Sequence, residues 1–309
     1  MIYTTIMNGV PLFYSAQHIE SVAFMYKEHY QKNKMVYCIN TTPFDVSEIM
    51  KSIPTGCVPV YVNLEHNCPI NETGNSPFCD TKWTDKFNES LNSFEEIWDF
   101  QIENFEYFKF HGFEKKYKFR PLRYTSWFDK YKTNEKPIYD IQMECVVDTN
   151  TRMWTLMILT QDPIKVENDI VFRSYGKIRF NMTNTFDSNA KFKAKNLCRY
   201  GFDAPHYDTP CTINCTRIYE YVCMNKPVIV WDRDKLSSHE YFKDLCVYLD
   251  DLPNTYELGI PLSRQPRTDV ADAFKNMTYN DGDYDEYRLN IIREYTNRTG
   301  NKIPDSVMY

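Results

Sequence analysis

The sequence lacks a long apolar run and a targeting leader. No stretch approaches the roughly 18 consecutive apolar residues that a membrane-spanning helix needs. The opening residues, MIYTTIMNGVPLFYSAQ, contain no basic segment followed by an apolar one. We therefore expect a cytoplasmic protein without a membrane span, located in the host cytoplasm if the chain is viral.

Paired cysteines are also missing. The ten cysteines are scattered along the chain, and several lie in apolar segments where a reduced cysteine behaves as a small hydrophobe. Cys211 and Cys215 form a CxxxC motif, but no second Cys or His pair has the spacing of zinc ligands. We expect neither a disulfide framework nor a metal site.

The chain has no excess of positive charge. Its net charge of −6 makes the whole protein a poor nonspecific binder of nucleic acid.

With 42% hydrophobic and 25% charged residues, the composition is that of a globular protein and argues against a disordered or fibrous one. A chain of 309 residues exceeds what one core usually serves, which predicts two domains. The 24 Tyr and 20 Phe beside only 9 Gly fit an AT-rich genome, such as that of a virus or phage.

Strands and helices alternate in the first half of the chain. Residues 2–6, 35–39 and 57–64 are strand-like, and apolar residues at helical spacing predict helices at 18–31 and 46–53. Residues 8–17 are predicted to be a loop. The alternation predicts a parallel, doubly wound domain over residues 1–128.

The end of this domain is less regular. Residues 67–90 are rich in Asn, Pro, Ser and Thr, which is typical of a surface excursion. Ser93 and Glu96 fit a capping box, so a helix is predicted from residue 93 through Phe108, ending at Gly112. A strand at 117–122 follows, and polar residues 129–137 are the predicted linker.

The second half repeats the alternation over residues 138–282. Strands are predicted at 139–147, 169–175, 227–231 and 245–249, and helices at 151–159 and 216–224. A final helix at 283–296, within the segment 283–309, is expected to pack back on the first domain. Both halves therefore predict an α/β architecture.

The densest motif is RIYEYVCMNKPVIVW, residues 217–231. It resembles the C-terminal signature of nucleotide-sugar glycosyltransferases with two facing Rossmann-like domains, the GT-B class. In that family a helix led by Arg or Ser carries a Glu and is followed by GKPVI. The resemblance implies two facing domains with a cleft between them, and a donor site that includes Arg217 and Glu220. Asn225 replaces the family's glycine, and Asn tolerates the left-handed conformation that a helix end requires.

Two interpretations of Glu220 stay open. The resemblance implies that it accepts hydrogen bonds from the ribose hydroxyls of the donor, as acidic residues do in dinucleotide sites. Glu220→Gln would then weaken donor binding by about 1–3 kcal/mol and leave the fold intact. Alternatively, Glu220 only caps and solvates its helix.

The segment YDIQMECVVDTNTRMWTLMILTQ resembles the family's donor loop and the helix after it. Thr149, Asn150 and Arg152 stand where the family has a glycine-containing loop and an Arg. Without glycine, close approach of the backbone to a pyrophosphate is hindered. Arg152, Arg173 and Lys177 are candidates to neutralise the diphosphate by charge, or they are solvated surface residues.

The first half carries the candidate base. VPVYVNLEHNCP resembles the family's strand ending in LEH, and places Glu65 and His66 at the carboxyl end of a central strand, where parallel sheets bind ligands. Either residue is a candidate to take the proton of an acceptor hydroxyl, or both form a polar strand terminus. Asp99 and Asn104 are expected on one side of the predicted helix, where they position the acceptor or provide surface polarity.

Two basic runs bear on the acceptor. The first contains Lys115, Lys116, Lys118 and Arg120 among aromatic residues, and the second contains Lys191, Lys193, Lys195 and Arg199. Either they neutralise phosphates or they are solvated surface residues. A base in duplex DNA must be extruded before an enzyme can act on it, and a deep cleft beside a basic rim suits this step.

Together these features predict a metal-independent glycosyltransferase that requires no cofactor. Its donor is a nucleoside-diphosphate sugar, with UDP-sugar as the first choice. A 5-hydroxymethylated base in phage or viral double-stranded DNA is the specific acceptor hypothesis. The alternatives are a glycan or small-molecule acceptor, a noncatalytic nucleotide-binding protein of the same fold, and a DNA-binding protein without transfer activity.

Overall fold

The computed structural model describes residues 3–7, 10–15, 19–30, 34–40, 46–68, 70, 81–144, 171–173, 179–183, 187–203, 216–230, 246–248 and 270–309. The chain divides into two compact units. The first comprises residues 1–123 and 285–309, and the second comprises residues 124–284. The linker predicted at 129–137 lies within the second unit, where Ser126–Tyr131 form a 3-10 helix against the ring of Phe192.

The first unit contains a six-stranded sheet whose described strands follow chain order. β1 and β2 are antiparallel, and every later neighbouring pair is parallel. The strands are β1 (Tyr3–Met7), β2 (Val10–Tyr14), β3 (Met35–Ile39), β4 (Val58–Asn63), β5 (Glu96–Asp99) and β6 (Tyr117–Phe119). The helices are α1 (Glu20–Tyr30), α2 (Val46–Ser52), α3 (Thr81–Leu91), α4 (Phe105–Phe110) and, for the part from residue 285, α8 (Asp281–Thr299).

This sheet corrects several sequence-based predictions. Its described strands never reverse their order, so it is not doubly wound as predicted for this half. The loop predicted at 8–17 contains β2, and the surface excursion predicted at 67–90 contains α3. The helix predicted from residue 93 is β5 at Glu96–Asp99, so Ser93 and Glu96 form no capping box.

The error at β5 has a physical cause. β5 pairs with β4 on one side and β6 on the other, and Ile97, Trp98 and Asp99 are all buried. A short parallel strand covered on both faces is a continuous apolar run without the two-residue alternation of a half-exposed strand. Such a run cannot be told from a buried helix by periodicity alone.

Aromatic side chains fill the core of the first unit. The indole of Trp98 lies 5.1–6.1 Å, between ring centroids, from the rings of Tyr26, Tyr30 and Tyr37. Tilted and edge-to-face pairs at this spacing are favourable beyond the area they bury. Part of the high tyrosine content therefore has a packing role.

The second unit contains a sheet with the order β12-β11-β10-β7-β9-β8. Its strands are β7 (Tyr139–Glu144), β8 (Val171–Arg173), β9 (Arg179–Thr183), β10 (Cys198–Asp203), β11 (Val228–Val230) and β12 (Cys246–Tyr248). Its helices are α5 (Ser188–Asn196), α6 (Thr216–Cys223), α7 (Val270–Tyr279) and the start of α8. All neighbouring strands are parallel except the edge strand β8.

The strand order reverses at β7. From β7 the chain passes to β8 and β9 on one side, and then to β10, β11 and β12 on the other. This is the arrangement of a doubly wound sheet, in which ligands bind outside the carboxyl ends of the strands at the point of reversal. The reversal between β7 and β10 therefore marks where a ligand site is expected.

Two small features hold α6 against this sheet. A Cβ atom added to Gly201 of β10 would lie 2.4 Å from Cγ of Tyr221, so only glycine lets this helix pack so closely. The Tyr221 hydroxyl donates to the carbonyl oxygen of Gln142 in β7 at 3.0 Å. Asn225 follows α6 with φ 59°, the left-handed conformation expected of it from the sequence.

The described part of the chain contains neither a membrane-spanning helix nor a cluster of metal-ligating side chains. None of its helices combines the length and apolar character needed to cross a bilayer. Nor does any group of three or more His, Cys, Asp or Glu residues in those ranges have the arrangement of a metal site.

Candidate functional site

Arg217 joins the carboxyl ends of the two strands at the reversal. It lies in the first turn of α6, and its Nε donates to Oδ1 of Asp203, the last residue of β10, at 2.9 Å. Its Nη1 donates to the carbonyl oxygen of Glu144, the last residue of β7, at 3.2 Å. The Asp203 side chain is buried and that of Arg217 is 24% exposed. Arg217 is therefore a partly accessible cation at the edge where ligands bind doubly wound sheets.

Glu144, whose backbone oxygen accepts from Arg217, also belongs to a cluster of four charged side chains. Its other members, Lys191, Lys195 and Glu220, are buried, and the Glu144 side chain is 12% exposed. Lys191 Nζ lies 2.8 Å from Oε2 of Glu220 and 3.2 Å from Oε1 of Glu144. Lys195 Nζ lies 2.6 Å from Oε2 of Glu144 and 3.2 Å from Oε2 of Glu220. Each lysine contacts both carboxylates, so the cluster is electrically neutral.

Burial and ion pairing act in opposite directions on these groups. Burial by itself would raise the pKa of Glu144, but Lys191 and Lys195 outweigh it and lower that pKa to about 2. Burial would lower the pKa of Lys191, but the two carboxylates outweigh it and raise that pKa. Glu144 and Lys191 are therefore charged at neutral pH, as expected of buried ions that are paired.

The structure brings together two of the predicted donor residues, Glu220 and Arg217. Glu220 is only 1% exposed, so it is not the solvated helix residue of the alternative interpretation. Its carboxylate already contacts two lysines, and a ribose would have to displace part of this network. Arg173 ends the edge strand β8, away from the reversal. Thr149, Asn150, Arg152 and Lys177 lie outside the described residues.

The sequence analysis missed the partners of Glu220. Lys191 and Lys195 were assigned to a basic acceptor run, but they lie four residues apart on one face of α5 and are buried. Lys193 between them is exposed, and Arg199 lies 3.5 Å from Asp140. The flanking Phe192 and Ala194 were the available signal for a buried face.

A second polar cluster lies at the carboxyl ends of β4 and β5 in the first unit. The Asp99 carboxylate is fully buried and accepts from Nδ2 of Asn63 at 2.7 Å and Nδ2 of Asn104 at 2.9 Å. The same two amides donate to the backbone oxygen of Glu65 at 2.9 and 2.8 Å. Oδ1 of Asn104 accepts from the backbone N–H of Asn67 at 2.8 Å. The cluster thus ties down the segment after β4.

This geometry changes the expectation for Asp99 and Asn104. Both are completely buried, and Asp99 ends a strand rather than starting a helix. They hold the backbone of the Glu65 segment and present no group to solvent. Burial raises the pKa of Asp99 to about 8, against the lowering effect of its hydrogen bonds. Asp99 is therefore mostly protonated at neutral pH.

Glu65 and His66 directly follow the carboxyl end of β4. Glu65 is exposed, and its Oε1 accepts from Nδ2 of Asn40, which follows β3, at 2.9 Å. His66 is half-buried. Both side chains lie at the edge of the sheet, and their catalytic role stays a prediction.

Most of the first basic run binds backbone carbonyls of its own unit. Lys116 Nζ donates to the carbonyl oxygens of Asn92 and Phe94 at 3.1 and 2.7 Å. Lys118 donates to the carbonyl oxygen of Ser306. Arg120 is buried and donates to the carbonyl oxygens of Phe119 and Met308. Lys115 is exposed. The phosphate-binding surface expected from this run is therefore largely committed to internal contacts.

No protein-family model and no curated protein matches this chain. A crystal structure of TarM is similar over 96% of this chain and 63% of its own length, at 10% identity and a TM-score of 0.44. A mutant of S. aureus TarM, in complex with fondaparinux, α-GlcNAc-glycerol and UDP, is similar over 94% and 64%, at 11% identity and a TM-score of 0.45.

The catalytic domain of starch synthase IV from Arabidopsis thaliana, bound to ADP and acarbose, is similar over 94% of this chain and 84% of its own length, at 7% identity and a TM-score of 0.43. This chain thus spans less than two thirds of the two TarM structures. A likeness at these TM-scores and identities establishes neither a shared fold nor a shared activity. What the structure itself establishes is an α/β chain with two mainly parallel sheets, of which the second is doubly wound.

Proposed function

We propose that this chain is a metal-independent glycosyltransferase of the GT-B class that uses a nucleoside-diphosphate sugar, with UDP-sugar as the first choice. The observation that carries the proposal is the reversal between β7 and β10, with Arg217 joining the two carboxyl ends. The motif that resembles the glycosyltransferase signature begins at this same arginine. Sheet topology and sequence motif thus converge on one edge of the second unit.

The charges at this edge suit a diphosphate only in part. Lys191 and Lys195 are neutralised by Glu144 and Glu220, so they add no net positive charge. Arg217 retains partial exposure and a guanidinium fork that matches phosphate oxygens. In this proposal Arg217 contacts the diphosphate, while Glu220 contacts the ribose after part of its ion-pair network opens.

The proposed chemistry assigns the acceptor proton to the first unit. His66 or Glu65 takes the proton from the acceptor hydroxyl while the hydroxyl oxygen bonds to the anomeric carbon of the sugar, and the nucleoside diphosphate leaves with the electron pair of the broken C–O bond. Duplex DNA with hydroxymethylated bases stays one acceptor to test, although the described lysines of the first basic run offer it little support.

Burial of Glu220 favours a second candidate function, a noncatalytic nucleotide-binding protein of the same architecture. A ribose can contact Glu220 only if the carboxylate gives up some of its bonds to Lys191 and Lys195. Such charge-assisted hydrogen bonds are stronger than neutral ones, so this exchange is unfavourable. A nucleotide bound through Arg217 alone would bind without sugar transfer.

Turnover and binding measurements separate the two candidates. The purified chain is mixed with UDP-, ADP- and GDP-sugars, with and without EDTA, and with glycans or hydroxymethylated duplex as acceptors. The enzyme proposal predicts donor binding and slow release of the nucleoside diphosphate that EDTA does not abolish. Binding without any hydrolysis or transfer would favour the noncatalytic protein, and no binding of any nucleotide would contradict both.

Matched variants test the assigned roles. Arg217→Lys keeps the charge but loses the fork, and we expect about tenfold weaker donor binding. Arg199→Lys, on the same sheet, is the control and should bind donor normally. His66→Ala or Glu65→Gln should lower turnover about 100-fold without an equal loss of donor affinity. If both base variants keep normal turnover, the base lies elsewhere.

A further inference from the structure

The first unit contains a pocket that is not part of the proposed transferase chemistry. Its volume is about 250 Å³, and it lies beside the sheet, between the end of α1 and the last two residues, Met308 and Tyr309. The lining residues that matter chemically are Tyr30, Glu96, Trp98, Arg120, Arg288 and Met308. The volume is below the roughly 300–1,000 Å³ of sites for drug-sized ligands, so an occupant must be small.

Two arginines converge at this pocket. Nη1 of Arg120 donates to the carbonyl oxygens of Phe119 and Met308 at 3.0 and 2.7 Å. Nη2 of Arg288 donates to the same two oxygens, and its distance to the carbonyl oxygen of Phe119 is 3.2 Å. Two guanidinium groups that share two acceptors lie close together, and their like charges repel. Nη2 of Arg120 also donates to the backbone oxygen of Tyr309 at 3.0 Å, so the last residue of the chain satisfies part of that guanidinium.

Arg288 does not use its full hydrogen-bonding capacity. It is 7% exposed, and its Nε is buried without a hydrogen-bond partner among the described residues. Its contact with Asp285 is long, at 3.5 Å, and the Asp285 side chain is 62% exposed, so water screens it. A buried guanidinium in this situation is stabilised by any anion that reaches it.

The walls of the pocket limit what that anion can be. The rings of Tyr30 and Trp98 lie 5.6 Å apart in an edge-to-face arrangement, and Arg120 lies 5.5 Å from the Trp98 ring centroid. Glu96 accepts from Trp98 Nε1 at 2.6 Å and adds one negative charge against the two positive ones. The side chains that line the pocket thus combine two arginines and one glutamate with aromatic rings.

We propose that this pocket binds a small molecule that carries a carboxylate or phosphate group on a planar apolar body. The oxyanion contacts Arg120 and Arg288, and Nε of Arg288 is a donor that lacks a partner among the described residues. The planar body lies against Tyr30 and Trp98. This proposal uses only residues of the first unit and does not depend on the proposed transferase activity.

Calorimetry on the full chain tests the chemistry of the ligand. The probes are benzoate, phenyl phosphate, the neutral analogue benzamide, and inorganic phosphate. We expect benzoate or phenyl phosphate to bind at least about tenfold more tightly than both benzamide and inorganic phosphate. Equal binding of benzamide would overturn the role of the arginines, equal binding of inorganic phosphate would overturn the role of the aromatic walls, and no binding of any probe would overturn the site.

Variants test the location. Arg288→Gln should lower the affinity for the bound probe at least tenfold, whereas Arg293→Gln, an exposed position on the same helix, should leave it unchanged. Glu96→Gln removes the negative charge of the pocket while keeping an acceptor for Trp98, and should tighten binding severalfold. Because Glu96→Gln predicts a gain, it tests the site even if Arg288→Gln fails to fold. Unchanged or weaker binding to Glu96→Gln would contradict the proposal.

Discussion

Replacing Glu220 by glutamine tests the buried charge cluster of the second unit. In the wild type, Lys191 and Lys195 face two carboxylates at 2.6–3.2 Å. The substitution leaves two buried ammonium groups with the single carboxylate of Glu144, and so one uncompensated buried charge. Removing one partner of a buried ion pair costs about 3–5 kcal/mol. This is a large share of the roughly 5–15 kcal/mol that stabilises a typical domain.

Urea denaturation provides the assay. We expect Glu220→Gln to lower the free energy of unfolding by about 3–5 kcal/mol, whereas Glu135→Gln, an exposed glutamate of the same unit, should change it by less than about 0.5 kcal/mol. This expectation corrects the sequence-based one, which had Glu220→Gln leave the fold intact, because the carboxylate is buried and paired. Donor affinity of the variant must therefore be measured where it is folded.

A double-mutant cycle shows whether the charge itself is responsible. Lys195→Met combined with Glu220→Gln restores neutrality, and we expect the pair to be less destabilising than the sum of the single variants by about 1–3 kcal/mol. Lys193→Met, exposed on the same helix, is the control for the lysine. A cost of Glu220→Gln no larger than that of Glu135→Gln, or strict additivity in the cycle, would refute the reasoning.

Three further predictions follow from individual residues. The pKa of Glu144 is lowered to about 2 in the folded state, so its contribution to stability is complete above about pH 4.5 and is lost as the pH falls towards 2. The free energy of unfolding, measured at a series of pH values between 5 and 2, should show this loss. The pKa of Asp99 is raised to about 8, so stability should fall as the pH rises from about 4 to 8, and Asp99→Asn should flatten this dependence when unfolding is measured at pH 5 and pH 9. Gly201→Ala should cost about 1–3 kcal/mol or more, because its Cβ would meet the Tyr221 ring at 2.4 Å; Gly282→Ala, within a helix and without a close contact, should instead be neutral or stabilising by thermal unfolding.

Local sequence signals predicted some strands and helices closely. β3 was predicted at its observed bounds, and α2, β4, α6 and β11 within one residue at each end. These elements have a clear period or a short apolar run between turn residues. β2 and β5 were missed because a strand packed on both faces, or one that starts at a proline-containing loop, has no two-residue alternation to detect. β9, β10, α3, α5 and α7 were not predicted either.

The sites were predicted less completely than the strands. The motif from residue 217 located Arg217 and Glu220 on one helix, but nothing in it indicated that Lys191 and Lys195 neutralise Glu220. The two lysines are 25 residues or more before Glu220 in the chain and meet it only through packing of α5 and α6. Asp99 was assigned to a helix surface, and its burial depends on the pairing of β5 with both neighbours.

The sequence alone determined that the chain is α/β, which residues lie in most of its strands and helices, and that Arg217 and Glu220 belong to one motif. These properties follow from local periodicity and from neighbouring residue types. Tertiary structure alone decided the strand order of each sheet, the partners of Glu220, and the convergence of Arg120 and Arg288. Such properties depend on contacts between residues far apart in the chain, and burial then decides whether a charged side chain is a solvated surface group, an internal ion pair or part of a site.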